Sequence, residues 1–235
     1  MIDWQLWLSV LWVGLTVTIS LAAVTSLFSI FLSWALAIAT ICPLRGVRFG
    51  ARLYVDLFRS IPLLAFLIFI YYGLGKYEGR LGITGFWVAV AGFTVIESAY
   101  LAELYRGALQ SIRPMQWQAA SSLGMGWFAT LRHVILPQAL PPALPITVNM
   151  VIGILKDSSL ASLIAVPEVT LAAGDLVSET FLPMQVFLVL AGFYLALIVP
   201  VSLFARWMEA FINRRVGFQM RPGTTQVAVS GGGLR

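Results

Sequence analysis

Four ionisable residues stand within long apolar runs of this chain: Glu97, Glu103, Lys156 and Asp157. A charge in hydrocarbon is costly, so such residues pair, face a water-filled cavity or lose their charge. Glu97 lies in the middle of its run, where it could meet the ammonium group of a solute in a central pathway. It could equally be an interhelical partner, for instance of Lys156. Glu103 and Arg106 are spaced i, i+3 and can pair on their own helix. Glu97 and Glu103 are six apart, so they point about a third of a circle away from one another. Lys156 and Asp157 follow Pro141, Pro142 and Pro145, which free backbone carbonyls; such backbone is tolerated at membrane depth where it lines a cavity or is buried in protein. Lys156 and Asp157 are thus candidates for a helix break, and their segment for a pathway wall. Tyr100, in the run Glu97-Ser98-Ala99-Tyr100, is placed with Glu97, Lys156 and Asp157 as a pathway residue.

Other chemistries find no residue set. His133 is the only histidine and has no cysteine nearby, so no metal site is expected. The single cysteine, Cys42, excludes an internal disulfide. Ser158, Ser159 and Ser162 lack a histidine partner for a hydrolase triad. Gly124-Met125-Gly126 is not followed by Gly-Lys-Ser/Thr, so it is no phosphate loop. A chain of this kind is expected to be no enzyme, to need no cofactor and to have no ATPase site of its own.

These residues must be positioned by elements that live in a bilayer. The chain has 235 residues, of which 60% are hydrophobic and 11% charged. Its mean hydropathy is +0.90, whereas soluble domains carry about 25% charged residues. Spanning hydrocarbon takes about 20 apolar residues in a helix. Five segments qualify: Ser9 to Ile41, Leu53 to Gly75, Gly85 to Tyr105, Leu140 to Val166 and Pro183 to Arg206. The fourth is expected to be interrupted by Pro141, Pro142, Pro145 and Gly153. Lipid is then the chain's solvent, and nucleic acid is not a partner. The start, Met1-Ile2-Asp3-Trp4, lacks the basic region of a cleavable signal peptide.

Basic residues set the orientation. Arg45, Arg48, Arg52 and Arg59 follow the first segment, and Arg106, Arg113 and Arg132 follow the third. Arg206, Arg214, Arg215, Arg221 and Arg235 lie at the C-terminal end. The other side holds Lys76 and Arg80, with the acids Asp3, Glu78, Glu168, Asp175 and Glu179. The prediction is an all-α integral membrane protein of five spans, N-terminus outside and C-terminus inside. Its transmembrane domain covers 9–215, followed by a polar, disordered cytoplasmic tail over 217–235.

The cytoplasmic stretch from Ser111 to Pro137, between the third and fourth spans, is too long for a simple turn. Pro114 suits a first helical turn, and Gly124 a helix end. A second helical stretch, from Gly126 to Ile135, places Trp127, Leu131 and Ile135 on one face and is expected to stop at Pro137. Small residues at Ala119, Ala120, Ser121 and Ser122 allow close approach of a partner. On physics alone, an amphipathic loop resting on headgroups is the alternative.

Gln118-Ala119-Ala120-Ser121-Ser122-Leu123-Gly124, closed by Val134-Ile135-Leu136-Pro137, resembles the loop by which ABC importer permeases dock onto their ATPase subunits. Three further stretches are similar to blocks of the polar amino acid group of that family. They are Phe58-Arg59-Ser60-Ile61-Pro62-Leu63-Leu64, Ala99 to Gly107, and Lys156-Asp157-Ser158-Ser159-Leu160-Ala161. Gln118 stands where the family has Glu, so it can hydrogen-bond but not ion-pair with an ATPase. The resemblance implies a multi-pass subunit of the cytoplasmic (inner) membrane, with a second permease subunit, two ATPase subunits and an extracytoplasmic solute-binding protein. Gln118, Ala119, Ala120, Gly124, Leu136 and Pro137 would couple it to the ATPase. The substrate implied is a polar amino acid, closest to the glutamate/aspartate branch. The rival reading is an ion-coupled secondary transporter or channel using Glu97 and Asp157.

Overall fold

The computed structural model describes residues 4–75 and 84–216. Asp3, Lys76, Glu78, Arg80, Arg221, Arg235 and the 217–235 tail, on which part of the topology argument rests, lie outside the described residues. Every regular element described is helical: α1 (Trp4–Ile41), α2 (Arg45–Arg59), α3 (Leu63–Gly75), α4 (Gly85–Gln110), α5 (Pro114–Ser122) and α6 (Trp127–Thr130). Then come a π turn (Leu131–Ile135), α7 (Leu136–Asp157), a 3₁₀ stretch (Ser158–Ile164), α8 (Val169–Thr180) and α9 (Pro183–Val216).

Four helical stretches are long and apolar enough to cross a membrane: Trp4–Ile41, Gly85–Gln110, Trp127–Ile164 and Pro183–Ile212. A fifth crossing requires α2 and α3 to count as one broken span, since they meet at 99°. The continuous helix expected from Leu53 to Gly75 is therefore a corner at Ser60-Ile61-Pro62. Proline lacks the N–H that a helix needs and pushes its predecessor out of helical geometry. On one side of the corner lies an amphipathic helix with four arginines; on the other, Leu63–Gly75 is almost wholly apolar.

The prolines of α7 act in the opposite way to the expectation. Pro141, Pro142 and Pro145 all lie inside a helix that runs from Leu136 to Asp157. Proline's φ suits a helix, and the packing of buried Pro142 and Pro145 holds them there. The break comes at the next element, where the helix tightens to 3₁₀ at Ser158. Pro137 likewise does not stop the loop helix. The π turn ahead of it directs the Leu136 N–H to the Leu131 carbonyl, and the Gln138 side chain donates to the Val134 carbonyl at 2.8 Å. The loop helix thus continues into α7.

α1 is the spine. Its buried residues Gly14, Thr18, Ala22, Ser29, Ser33, Ala37 and Thr40 make a stripe of small side chains, which lets helix backbones approach closely without a hydrophobic driving force. Ser33 donates to the Ser29 and Ser98 carbonyls, the latter at 3.3 Å on α4. At Gly14 a Cβ would stand 2.8 Å from the Cα of Val169, so only glycine allows α8 to lie this close. There Thr18 accepts the Val169 N–H at 3.1 Å and donates to the Glu168 carboxylate at 3.3 Å. Glu168 caps α8 through the Leu171 N–H at 2.8 Å, and Tyr194 of α9 reaches it at 3.4 Å. Glu168, one of the acids on the side opposite the arginines, is fully buried where α1, α8 and α9 meet. Burial pushes its carboxyl above the ordinary value, against the lowering effect of hydrogen bonds from Thr170, Leu171 and Thr18. Asp175 and Glu179 are exposed.

Candidate functional site

Two places gather the residues singled out above. The first is a cavity of about 630 Å³ between α4, α7 and the start of α3. From α4 it takes Ile96, Glu97, Tyr100 and Leu104, which recur at helical spacing on one face. From α7 it takes Ile146, Asn149, Met150 and Asp157, and from α3 Leu63. Glu97 and Asp157 thus face one space. Lys156 does not join them: one residue earlier on the helix, it is turned about 100° away and is exposed. The ion pair considered between Glu97 and Lys156 is not formed. Among the described residues the ion pair present is Arg106–Glu103, the local pairing expected; Arg106 also donates to Gln110 at 2.5 Å.

Tyr100 lines the cavity and ties it to the corner. Its hydroxyl donates to the Arg59 carbonyl at 2.9 Å, and the Arg59 guanidinium lies 5.7 Å from its ring centroid. Asn149 and Met150 went unnoticed in the sequence. The signal was there: Met150 and Asp157 are seven apart, two turns of one face. Asn149, a polar residue in an apolar run, sits beside it. Two carboxylates, an amide and a phenol ring among apolar walls form a site that can hold a small polar solute through its cationic group, with little to receive an anion.

The second place is the loop. Pro114 opens α5 as its first residue. Gly124, at φ 77°, closes it: the Gly124 N–H goes to Ser121 and the Met125 N–H to Ala120, the paired bonds of a left-handed helix end. Trp117 and Trp127 stack at 6.3 Å and fold α6 back on α5. Leu131 and Ile135 are buried against α1 and α4 as their spacing predicts. Gln118, Ala119 and Gly124 are exposed, as is Pro137, while Leu136 is half-buried. Ala120 is buried within the chain and cannot offer a docking surface. The exposed apolar side chains here are Met115, Leu123 and Phe128, none of them among the small residues expected to meet a partner. His133 bonds only its own helix, at the Ala129 carbonyl.

Comparison with known proteins narrows what such an arrangement does. A family model described as "Binding-protein-dependent transport system inner membrane component" matches residues 29–217. The nopaline transport system permease protein NocM of Agrobacterium fabrum is 34% identical over 212 residues, covering 85% of this chain and 88% of NocM. The probable amino-acid ABC transporter permease protein PatM of Vibrio harveyi is 35% identical, covering 84% of this chain and 89% of its own. Among solved structures, an amino acid ABC transporter crystallised with histidines superposes with a TM-score of 0.79 at 27% identity. That match covers 91% of this chain and 99% of the other. The MetNI methionine ABC transporter, in inward-facing form, superposes at 0.72 and 19% identity, covering 91% and 99%, and shares the fold.

Proposed function

The chain belongs to the family of binding-protein-dependent transport system inner membrane components, and from that membership we propose that it is the permease subunit of an ATP-driven importer of a polar amino acid. It is a multi-pass protein of the inner membrane. Its one transmembrane domain, over 9–215, would pair with a second permease subunit, as homo- or heterodimer, between ATPase subunits and a solute-binding protein. The cavity of Glu97, Tyr100, Asn149 and Asp157 is the pathway for the solute. The loop of α5 and α6 docks the ATPase, through Gln118, Ala119 and Gly124 with Leu136 and Pro137 behind them, and with Leu123 and Phe128 as apolar contacts.

Family membership carries the importer reading, and the shared cavity of Glu97 and Asp157 supports the pathway assignment. The cavity also bears on the substrate. Two carboxylates facing one space repel a third, so an amino acid with a cationic side chain fits better than glutamate or aspartate, the branch to which the motifs point. Closure of the ATPase pair would move the loop helix, and because that helix runs unbroken into α7, it would move Asp157 as well.

The test is reconstitution with the candidate ATPase and binding protein in liposomes. ATP hydrolysis stimulated by L-arginine more than by L-glutamate, with uptake that needs ATP, supports the reading. Uptake without ATP, driven by an ion gradient, would favour a secondary transporter built on the same two carboxylates.

A further inference from the structure

The cavity meets both arms of the α2–α3 corner: α3 packs on α4 through buried Leu67 with Leu63, Ile70 and Tyr71, and the end of α2 is reached by the Tyr100 side chain. α2 is held to α4 at two levels. The lower tie is half-buried: the Tyr54 hydroxyl reaches the Val95 carbonyl at 3.0 Å and the Ser98 hydroxyl at 3.1 Å. Ser98 is itself held by Ser33 of α1 through its carbonyl. This tie joins α1, α2 and α4 into one body. The upper tie is exposed and consists of Tyr100 on the Arg59 carbonyl.

Arg59 is the last residue of α2, so its carbonyl has no partner inside the helix. Two of the neighbouring end carbonyls are met locally. The Ser60 hydroxyl donates to Asp56 at 2.7 Å, and the Ser60 N–H donates to Leu57 at 3.1 Å. The Arg59 carbonyl takes its bond from a side chain of another helix. Three residues beyond it, Pro62 turns the chain, and Leu63 then lines the same cavity as Tyr100. Tyr100 is one helical turn from Glu97. A solute held at Glu97 therefore touches a ring whose far end caps the corner.

We propose that Tyr100 is a positioning residue whose hydroxyl couples occupancy of the cavity to the angle between α2 and α3. The proposal rests on the cavity being the solute pathway. Moving the ring withdraws the cap from Arg59 and frees the end of α2 to pivot about Ser60-Ile61-Pro62 against α3, which stays packed on α4 through buried Leu67. The aromatic contacts Tyr54–Phe58 and Phe58–Phe66 run from α2 to α3 across the corner, so a change in its angle changes how these rings meet.

The test uses the full complex in lipid nanodiscs. Spin labels are placed at Phe49→Cys on α2 and Phe69→Cys on α3, both strongly exposed, with Cys42→Ser removing the native thiol. The probe is whichever of L-arginine, L-glutamine and L-glutamate is transported best, at saturating concentration, so that a change in affinity does not enter. Wild type should show a change in the interlabel distance when the amino acid is added. Tyr100→Phe keeps the ring and removes the hydroxyl; it should show the altered distance before any amino acid is present and little further change. Its stimulation of ATP hydrolysis by the amino acid should fall about fivefold, the worth of one hydrogen bond. Arg59→Ala keeps the carbonyl and should respond as wild type does. A Tyr100→Phe variant that responds like wild type, or a wild type that binds the amino acid with no distance change, overturns the proposal. Failure of the cavity reading shows differently: Glu97→Gln would leave amino acid binding unchanged, and the coupling role would fall with it.

Discussion

Glu97 and Asp157 lie on different helices and face one cavity, while Lys156, beside Asp157 in the chain, is turned away from it. Neither carboxylate forms an ion pair with a cation among the described residues, where the ion pair present is Arg106–Glu103. A cavity that leaves two carboxylates unpaired is suited to a guest that brings the positive charge.

Removing either charge should therefore change which amino acid is carried. Glu97→Gln and Asp157→Asn preserve shape and hydrogen-bonding reach. Each should reduce the preference for L-arginine over L-glutamine about tenfold, the worth of a hydrogen bond to a charged group. The double variant should lose most of that preference while still assembling with its ATPase. Competition uptake in liposomes measures this. Unchanged preference in all three would show that the cavity does not read substrate charge.

The loop makes a separate prediction. Leu123 is 82% exposed and Phe128 67% exposed, next to the left-handed Gly124. Leu123→Asp should leave insertion and the stability of the isolated chain within about 0.5 kcal/mol, as for ordinary surface changes. It should weaken co-purification with the ATPase. Ala120→Arg tests something else. A buried arginine destabilises the chain itself, so loss of the complex would be accompanied by loss of the fold. Gly124→Ala should cost about 1 kcal/mol because the left-handed region penalises a Cβ, although nothing stands within 4 Å to clash with it.

What could be read from the residues alone divides along physical lines. Length and apolarity located the spans α1, α4, α7 and α9, because crossing hydrocarbon imposes a length that few soluble helices combine with so little charge. Local stereochemistry located Pro114 and Gly124, whose roles depend on their own backbone. Proline was where the reading failed. Pro62 breaks a helix and Pro141, Pro142 and Pro145 do not, and only the neighbours that pack around each decide this. The facing of Glu97 and Asp157 also required tertiary structure, since periodicity places a residue on a face but does not say what lies opposite. Glu168 shows the same limit from the other side: its acidity marked a side of the membrane but not its surroundings, and a close approach permitted by Gly14 buried it.

Orientation can be checked at described positions. The arginine distribution puts the α5 loop inside and α8 outside. Gln118→Cys and Glu179→Cys, both at exposed sites, in a Cys42→Ser background should label from opposite faces of intact cells: position 179 from outside, position 118 only after permeabilisation. Labelling of both from one side would require an even number of crossings between them and would overturn the assignment.

The α1–α8–α9 junction should report its own titration. The Glu168 carboxyl is raised above its ordinary value of 4.5, chiefly by burial. The folded state thus binds the proton more tightly than the unfolded chain does. Below the ordinary value both states are protonated, and Glu168 contributes no pH dependence. As pH rises through that value the unfolded chain ionises first, so this group costs stability until the folded carboxyl also ionises, after which the cost is constant. Glu168→Gln cannot titrate. The melting temperature of the variant minus that of wild type should therefore increase as pH rises from just below 4.5, then level off. Thr18→Val removes both the donor to Glu168 and the acceptor for the Val169 N–H. It should cost about 1–3 kcal/mol and steepen the pH dependence, because one bond that favours the ionised carboxylate is gone. Melting curves of the detergent-purified complex across this range measure both effects. A difference between Glu168→Gln and wild type that is flat or declining with pH would show that burial does not set the ionisation of Glu168.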